Sequence, residues 1–254
     1  MHFDGVIMAA GLGSRLKELS HEQGKALTYI AGKPIINYAI DFMRELGASR
    51  IFVIGGYAFP KLQDLLRNSN VTLLENKNFI DKGNLLSLLV ALPHISNSLV
   101  IANVDHIYSR TLVSRIREQF NGITAFCDFD RELGEDDMKA LFSLSPQDLR
   151  FKLQEIRLVT MSKTLKAFHG GYVGMTYVDA NCLQKYKLAA DETFRKIGDK
   201  AVVENILVQL SEKGEIVGIG DISGYGWLEI DTPEEFYRAE KAIQESPEKF
   251  LVLK

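Results

Sequence analysis

Only two cysteines, Cys127 and Cys182, occur in the 254 residues. They are too few for a disulfide framework or a zinc site, and read as small buried hydrophobes of a reducing compartment. No run of eighteen apolar residues exists, so no membrane insertion is expected. The amino terminus lacks a basic stretch ahead of a long apolar core. That argues against a signal peptide and makes a cytoplasmic location the expectation. An excess of basic charge is missing too. A formal net charge of -3 argues against nucleic acid held mainly through phosphate electrostatics. What remains is 46% hydrophobic and 25% charged, ample for an α/β core.

The most informative segment is FDGVIMAAGLGSRL, followed by GKALTYIAGKPII. An apolar run, Val6 to Ala10, enters a loop with Gly11 and Gly13. Glycines permit close backbone approach, so N–H groups can converge on an anion. Arg15 and Lys25 add side-chain charge to the same place, and together these features read as a triphosphate cradle. A Walker loop is excluded by the glycine spacing and the missing Lys-Ser or Lys-Thr. The dinucleotide fingerprint would need glycine at Leu16. A kinase loop would need HRD and DFG downstream, and neither is present. A bare turn with incidental glycines is the alternative.

The organisation is a strand–helix rhythm. Strands are expected at 5–10, 50–54, 71–75 and 98–102, and helices at 34–46, 60–67 and 83–92. This predicts an α/β, doubly wound, mostly parallel mixed sheet with helices on both faces. Such sheets bind ligands beyond the carboxyl ends of their strands. After Gly122 the pattern loosens, with strands expected at 123–128, 139–143, 157–159, 169–176 and 216–221 and a helix at 201–213. Thr232 can cap a last helix beginning at Pro233. One domain, 1–254, is expected, with a nucleotide-binding part at 1–121 and an acceptor-binding, carboxyl-terminal elaboration at 122–254.

Asp105 ends the apolar strand LVIANVD, and Asp231 follows an extended segment in WLEIDTPEEF. A carboxylate beside a triphosphate repels it unless a cation intervenes, so Mg²⁺ is the natural mediator. Helix capping is the rival for both acids. Glu229 shares a face with Asp231 in an extended segment.

The chain resembles the nucleotidyltransferases that activate phosphorylated sugars and alcohols. The likeness is carried by MAAGLGSRL, GKALTYIAGKPII, the VDH at Asp105 and the IDT at Asp231. LLENKNFIDKGNLLSLLVAL is similar to a segment of the small cytidylyltransferases. GEDDMKA and SGYGWLEIDTPEEF resemble the inositol-1-phosphate cytidylyltransferases. The resemblance implies Mg²⁺-dependent transfer of CMP from CTP, or of another nucleotide from its triphosphate, to a phosphorylated polyol or sugar. Arg15, Lys25 and the loop glycines would hold nucleotide phosphates, and Asp105 and Asp231 the metal. The family usually has proline directly before the loop lysine, where this chain has Gly24. A more mobile Lys25 loop is the expectation.

The base is expected at the loop backbone, Ala9, Ala10 and Gly11, and at the segment from Asp81 to Ser87. Asn84 and Ser87 are its polar side chains. Asn84 offers both donor and acceptor, or else it caps the helix that follows. For the acceptor, Lys139 is ranked ahead of Lys163 and Lys166 as the phosphate cation, with a solvated edge position as its alternative. His169, Gly170, Gly171 and Glu229 are candidates for hydroxyl recognition. His106 is expected to line the site without an acid–base role. Tyr172, Tyr177, Tyr225 and Trp227 could form a box for a quaternary ammonium, or simply pack. Other readings are a sugar-1-phosphate enzyme using UTP, GTP or dTTP, a phosphocholine or aminoethylphosphonate enzyme, and a non-catalytic nucleotide sensor. The oligomeric state stays open.

Overall fold

The computed structural model describes residues 2–20, 23–80, 82–143 and 156–250. Strand β1 (Phe3–Ala9) enters the glycine loop, which leads through the hairpin β2 (Tyr29–Ile30) and β3 (Lys33–Pro34) into helix α1 (Ile35–Leu46). Then follow β4 (Arg50–Gly55), α2 (Phe59–Leu66), β5 (Thr72–Glu75), α3 (Leu85–Ala91) and β6 (Ser98–Asn103). Next come β7 (His106–Tyr108), α4 (Leu112–Arg117), β8 (Ile123–Asp128), β9 (Lys139–Phe142), β10 (Leu158–Ser162) and β11 (Gly170–Val178). The chain continues with α5 (Ala180–Ile197), α6 (Val203–Glu212), β12 (Val217–Asp221), β13 (Trp227–Glu229) and α7 (Pro233–Glu245).

The main sheet is mixed. Strands β5, β4, β1 and β6 lie side by side and parallel. β11 then runs antiparallel to β6, β8 and β9, and β12 adds parallel to β8. Side chains alternate across the sheet. Phe3, Ile7 and Ala9 of β1 therefore join one core with α1 and α7, while Val6 and Met8 join the other with α3, α5 and α6. Burial on both faces explains why these strands read as continuous apolar runs. No helix among the described residues is long and apolar enough to cross a membrane.

The expected elements recur with local shifts. Gly47 ends α1 in the left-handed conformation, φ 93°, as a glycine stop should. The helix expected from Gly83 begins only at Leu85. The Gly83 N–H is bonded sideways to Asp199, and Asn84 stands at the cap position, its carbonyl accepting from the Leu88 N–H while its side chain accepts from Val203. Helix α5 has no counterpart in the sequence reading. Its buried stripe is Leu183, Tyr186, Ala189, Ala190 and Thr193, too poor in large apolar groups to advertise itself.

A second, two-stranded sheet completes the site. β13 pairs antiparallel with β7, setting Glu229 opposite His106 and Trp227 opposite Tyr108. The N–H of Ile230 donates to the carbonyl of Asp105 at 3.0 Å. This pairing brings Asp231 beside Asp105. Thr232 then caps α7 reciprocally with Glu235: Thr232 Oγ1 accepts from Glu235 N, and Glu235 Oε2 accepts from the N–H groups of Asp231 and Thr232. Thr232→Ala should cost about 1 kcal/mol of stability, as loss of an N-cap does. A shift in the urea midpoint without a change in slope checks this.

Candidate active site

The two loop glycines do different things. A side chain at Gly11 would meet nothing within 4 Å, so this residue borders open space. Gly13 has φ +69°, and a Cβ there would lie 2.7 Å from Cβ of Lys25. Its bareness lets Lys25 pack directly behind the loop. Gly24 adopts φ 78° and ψ 162°, a region essentially confined to glycine. Proline, fixed near φ -65°, cannot take this path. A Cβ at Gly24 would also meet the Tyr57 ring at 2.8 Å.

Lys25 opens a buried 3₁₀ turn, Lys25–Leu27, and its ammonium reaches two carboxylates. It donates to Oδ2 of Asp105 at 3.0 Å and to Oδ1 of Asp231. Arg15 donates to the other oxygen of Asp231 at 2.5 Å, and to Asp136 of the GEDD segment at 3.3 Å. The carboxylate of Asp231 is therefore spent on Lys25 and Arg15, while the cap of α7 is Thr232. Asp105 lies in the turn between β6 and β7 and caps no helix.

Charge overrides burial throughout this cluster. Burial alone would lower the Lys25 ammonium, but Asp105 and Asp231 raise it above its ordinary value. Burial would raise the Asp105 carboxyl, yet Lys25 and His106 hold it well below the usual range. Burial likewise opposes the charged form of His106, and Asp105 and then Glu229 raise it. His106 Nδ1 lies 2.8 Å from Asp105 Oδ1, close enough for an ion pair but without hydrogen-bond alignment. Both atoms are buried and unbonded.

Two cavities meet at this cluster and share Asn84, Asn103 and Asp105 in their walls. The first is bordered by Ala10, Gly11, Gly13, Lys25, Asn84 and Ser87. Ala9 lies one residue back, buried in β1. Ser87 Oγ accepts from Asn76 Nδ2 at 2.9 Å. Asn84 Oδ1 accepts from the N–H of Val203 at 2.9 Å, which caps α6 rather than α3. The donor–acceptor pair expected of Asn84 is thus reduced to its Nδ2 donor. Asp81 lies outside the described residues.

The second cavity, about 510 Å³, is bordered by Arg15, Asp105, His106, Glu229 and Asp231. Lys139, His169 and Gly171 do not border it. Lys139 is buried, and its ammonium donates to the carbonyls of Gly134 at 2.5 Å and Lys163 at 2.9 Å. His169 Nδ1 accepts from the N–H of Phe142, and Gly171 is bare because Leu133 packs on it. Lys163, the lower-ranked rival, does border the cavity, whereas Lys166 does not. Glu229 accepts from Arg131 at 2.7 Å. The four aromatics expected as an ammonium box are dispersed. Tyr172 borders the cavity, Tyr177 stacks on Phe120, Tyr225 lies under Arg115, and Trp227 carries the Arg131 guanidinium at 4.4 Å.

Asn103, Gly174 and Glu204 escaped the sequence reading. Asn103 ends the same strand as the Asp105 motif, so its position at the sheet edge was available. Gly174, φ +66°, sits where β11 shifts register and leaves room for Asn103 and His106. Glu204 sits in the first turn of a helix, where an acid is ordinary, so no sequence signal marks it.

The acids also fit a divalent cation. Asp105 Oδ2 and Asp231 Oδ1 converge on one ammonium, Asp105 Oδ1 is buried without a hydrogen bond, and all these donors are the hard oxygens Mg²⁺ prefers. Among the described residues no group of three or more His, Cys, Asp or Glu is arranged to hold a metal. Two carboxylates complemented by substrate phosphates are the usual Mg²⁺ arrangement.

The cluster sets an expected pH dependence. A depressed Asp105 carboxyl contributes stability that is in force above its unfolded value of 3.8 and is lost as pH falls through the folded value. A raised Lys25 contributes below 10.5 and is lost as pH rises through its folded value. Asp105→Asn should therefore flatten the acid limb of stability against pH, measured as urea midpoints from pH 5 to 2. Lys25→Met, which strands two carboxylates, should cost about 3 kcal/mol at pH 7, with part of that restored by adding Asp105→Asn.

Residues 5–166 match the MobA-like NTP transferase domain. A bifunctional IPC transferase and DIPP synthase of Aquifex aeolicus is 25% identical over 94% of this chain and 51% of its own length. The chain thus spans about half of that relative. A choline-phosphate cytidylyltransferase of Streptococcus pneumoniae is 25% identical over 94% of this chain and 97% of its own. Among solved structures, the inositol-1-phosphate CTP transferase of T. maritima superimposes with a TM-score of 0.79, covering 96% of both chains at 18% identity. With its glycine loop, paired cations and paired acids at the carboxyl edge of the sheet, this chain belongs to the MobA-like NTP transferase domain family and carries a nucleotidyltransferase-like catalytic domain.

Proposed function

We propose that the chain transfers CMP from CTP to a phosphorylated polyol, with inositol-1-phosphate as the acceptor, giving a CDP-alcohol and pyrophosphate. The observation that carries this reading is the placement of Arg15, Lys25, Asp105 and Asp231 where the two cavities meet. One cavity suits a nucleotide and the other a small phosphorylated acceptor. An acceptor phosphate oxygen attacks the α-phosphorus. The bond from that phosphorus to the bridging oxygen breaks, and the electron pair leaves with pyrophosphate. Phosphate is already ionised at neutral pH, so no general base is needed. The task of the protein is to align two anions and neutralise the charge that builds between them. Arg15 can bridge two oxygens of the leaving group, and Lys25 supplies a point charge beside it. Asp105 and Asp231 would hold Mg²⁺, whose chemistry here is to neutralise phosphate charge.

CTP is supported by the cytidylyltransferase relatives and by the T. maritima structure. The polyol is supported by that structure and by Trp227, which does not border the acceptor cavity and carries Arg131 over one ring face. The pneumococcal relative favours phosphocholine as the second reading, with Tyr172 and Glu204 as the groups that would face its ammonium.

Pyrophosphate release across four nucleoside triphosphates, each paired with inositol-1-phosphate, phosphocholine and hexose-1-phosphates, tests the reading. CTP with inositol-1-phosphate should give the highest kcat/KM. Efficient turnover of phosphocholine with an inert inositol-1-phosphate would transfer the assignment to the choline reading. Lys25→Ala should lower turnover about tenfold to a hundredfold, or roughly 1.4–3 kcal/mol of transition-state binding. Asp231→Asn should abolish most of the rate and weaken its Mg²⁺ dependence.

A further inference from the structure

Between the two cavities runs a brace that joins parts of the chain far apart in sequence. The N–H of Gly83 donates to the carbonyl of Asp199 at 2.7 Å, and that of Leu85 to Ala201 at 3.2 Å. Lys82 and Asp199 form an ion pair at 3.0 Å. A Cβ on Gly83 would lie 1.9 Å from the Ala201 carbonyl oxygen, so the two backbones touch as closely as glycine permits. Lys82, Gly83 and Asn84 face the nucleotide cavity. On the other side of the brace, Lys200, Val202, Glu204 and Asn205 face the acceptor cavity.

Asn84 stands in both walls and uses its two ends differently. Its Oδ1 accepts the N–H of Val203, the first residue of α6. The first N–H groups of a helix have no partner within it, so this bond fixes where α6 begins. The amide orientation follows from the bond, since an N–H must face the oxygen. Nδ2 makes no hydrogen bond to any described residue and is left for a ligand. A nucleotide that accepts from Nδ2 holds the amide plane, the amide plane holds Val203, and Val203 sets the first turn of α6. That turn carries Glu204 and Asn205 into the acceptor cavity.

We infer that Asn84 is a positioning residue that couples occupancy of the nucleotide cavity to the set of the acceptor cavity through the first N–H of α6. The inference rests on the nucleotide reading of the first cavity. Coupling through a single amide of this kind is worth about a fivefold change. The nucleotide therefore prepares the acceptor wall before the acceptor arrives.

Hydrogen–deuterium exchange on the whole chain tests this, with each of the four nucleoside triphosphates and Mg²⁺ added in turn. Protection of a peptide covering 9–16 identifies the triphosphate that binds. With that nucleotide at saturation, amides in 199–207 should exchange about fivefold more slowly in the wild type. Val203→Pro removes the donated N–H at a first-turn position where proline is tolerated, after a residue already extended at φ -114°, ψ 160°. In this variant the 9–16 peptide should still be protected, while the effect on 204–207 vanishes. Loss of packing alone would raise exchange in 204–207 with and without nucleotide and leave their ratio unchanged. Asn84→Leu, read at nucleotide concentrations that saturate the 9–16 peptide, should lose the effect as well, and Asn84→Asp, which keeps an oxygen for the Val203 N–H but has no Nδ2 to donate, should leave exchange of 204–207 without nucleotide as in the wild type and also lose the nucleotide effect. Protection at 9–16 without any at 199–207, or wild-type protection of 204–207 in both Val203→Pro and Asn84→Leu, overturns the coupling alone. Absence of protection at 9–16 with every triphosphate overturns the nucleotide reading, and the coupling with it.

Discussion

The site is organised around one ammonium held between two carboxylates. Lys25 comes from the loop after β1, Asp105 from the turn after β6, and Asp231 from the residue before α7's cap. Each of these segments would be repelled or desolvated alone. An unpaired acid in so enclosed a place is costly, and two acids side by side more so. The lysine makes their approach favourable, and much of the surrounding architecture serves to deliver it. Gly13 is bare so that Lys25 can pack behind the loop, Gly24 turns the chain into position, and the β7–β13 pairing carries Asp231 across to Asp105.

The amino-terminal half was legible because both faces of its sheet are buried. Continuous apolar runs between amphipathic helices marked β1, β4 and β6, and ligand binding at strand ends pointed to the glycine loop and Asp105. Arg15, Lys25, Asp105 and Asp231 could be read as a set because opposite charges beside a glycine loop expected to cradle phosphate have few other reasons to occur together. Their direct pairing with each other could not be read, since it depends on the long-range register of β13 on β7.

The carboxyl-terminal half was harder for physical reasons that differ by residue. Lys139 sits in a motif-like segment, but its ammonium is drawn to backbone carbonyls of the GEDD turn, a solution that sequence spacing does not encode. His169 has an ordinary polar context in the sequence and an ordinary role, accepting a strand N–H. Glu204 looks like any acid in the first turn of a helix until α6 is docked against the cleft. Asn84 was ambiguous between ligand contact and helix cap. It caps a helix, but one more than a hundred residues away along the chain.

The chain has one tryptophan, Trp227, and it borders a small separate cavity together with Asp128, Arg131 and Glu229. Its indole N–H donates to Asp128 at 2.8 Å, its face carries Arg131, and its ring centre lies 5.2 Å from that of His106. Through His106 it is one residue removed from Asp105, and through Arg131 it is tied to Glu229. All indole emission from this chain therefore originates beside the charge cluster. The molecule carries an intrinsic optical reporter of its own site, with no background from any other tryptophan.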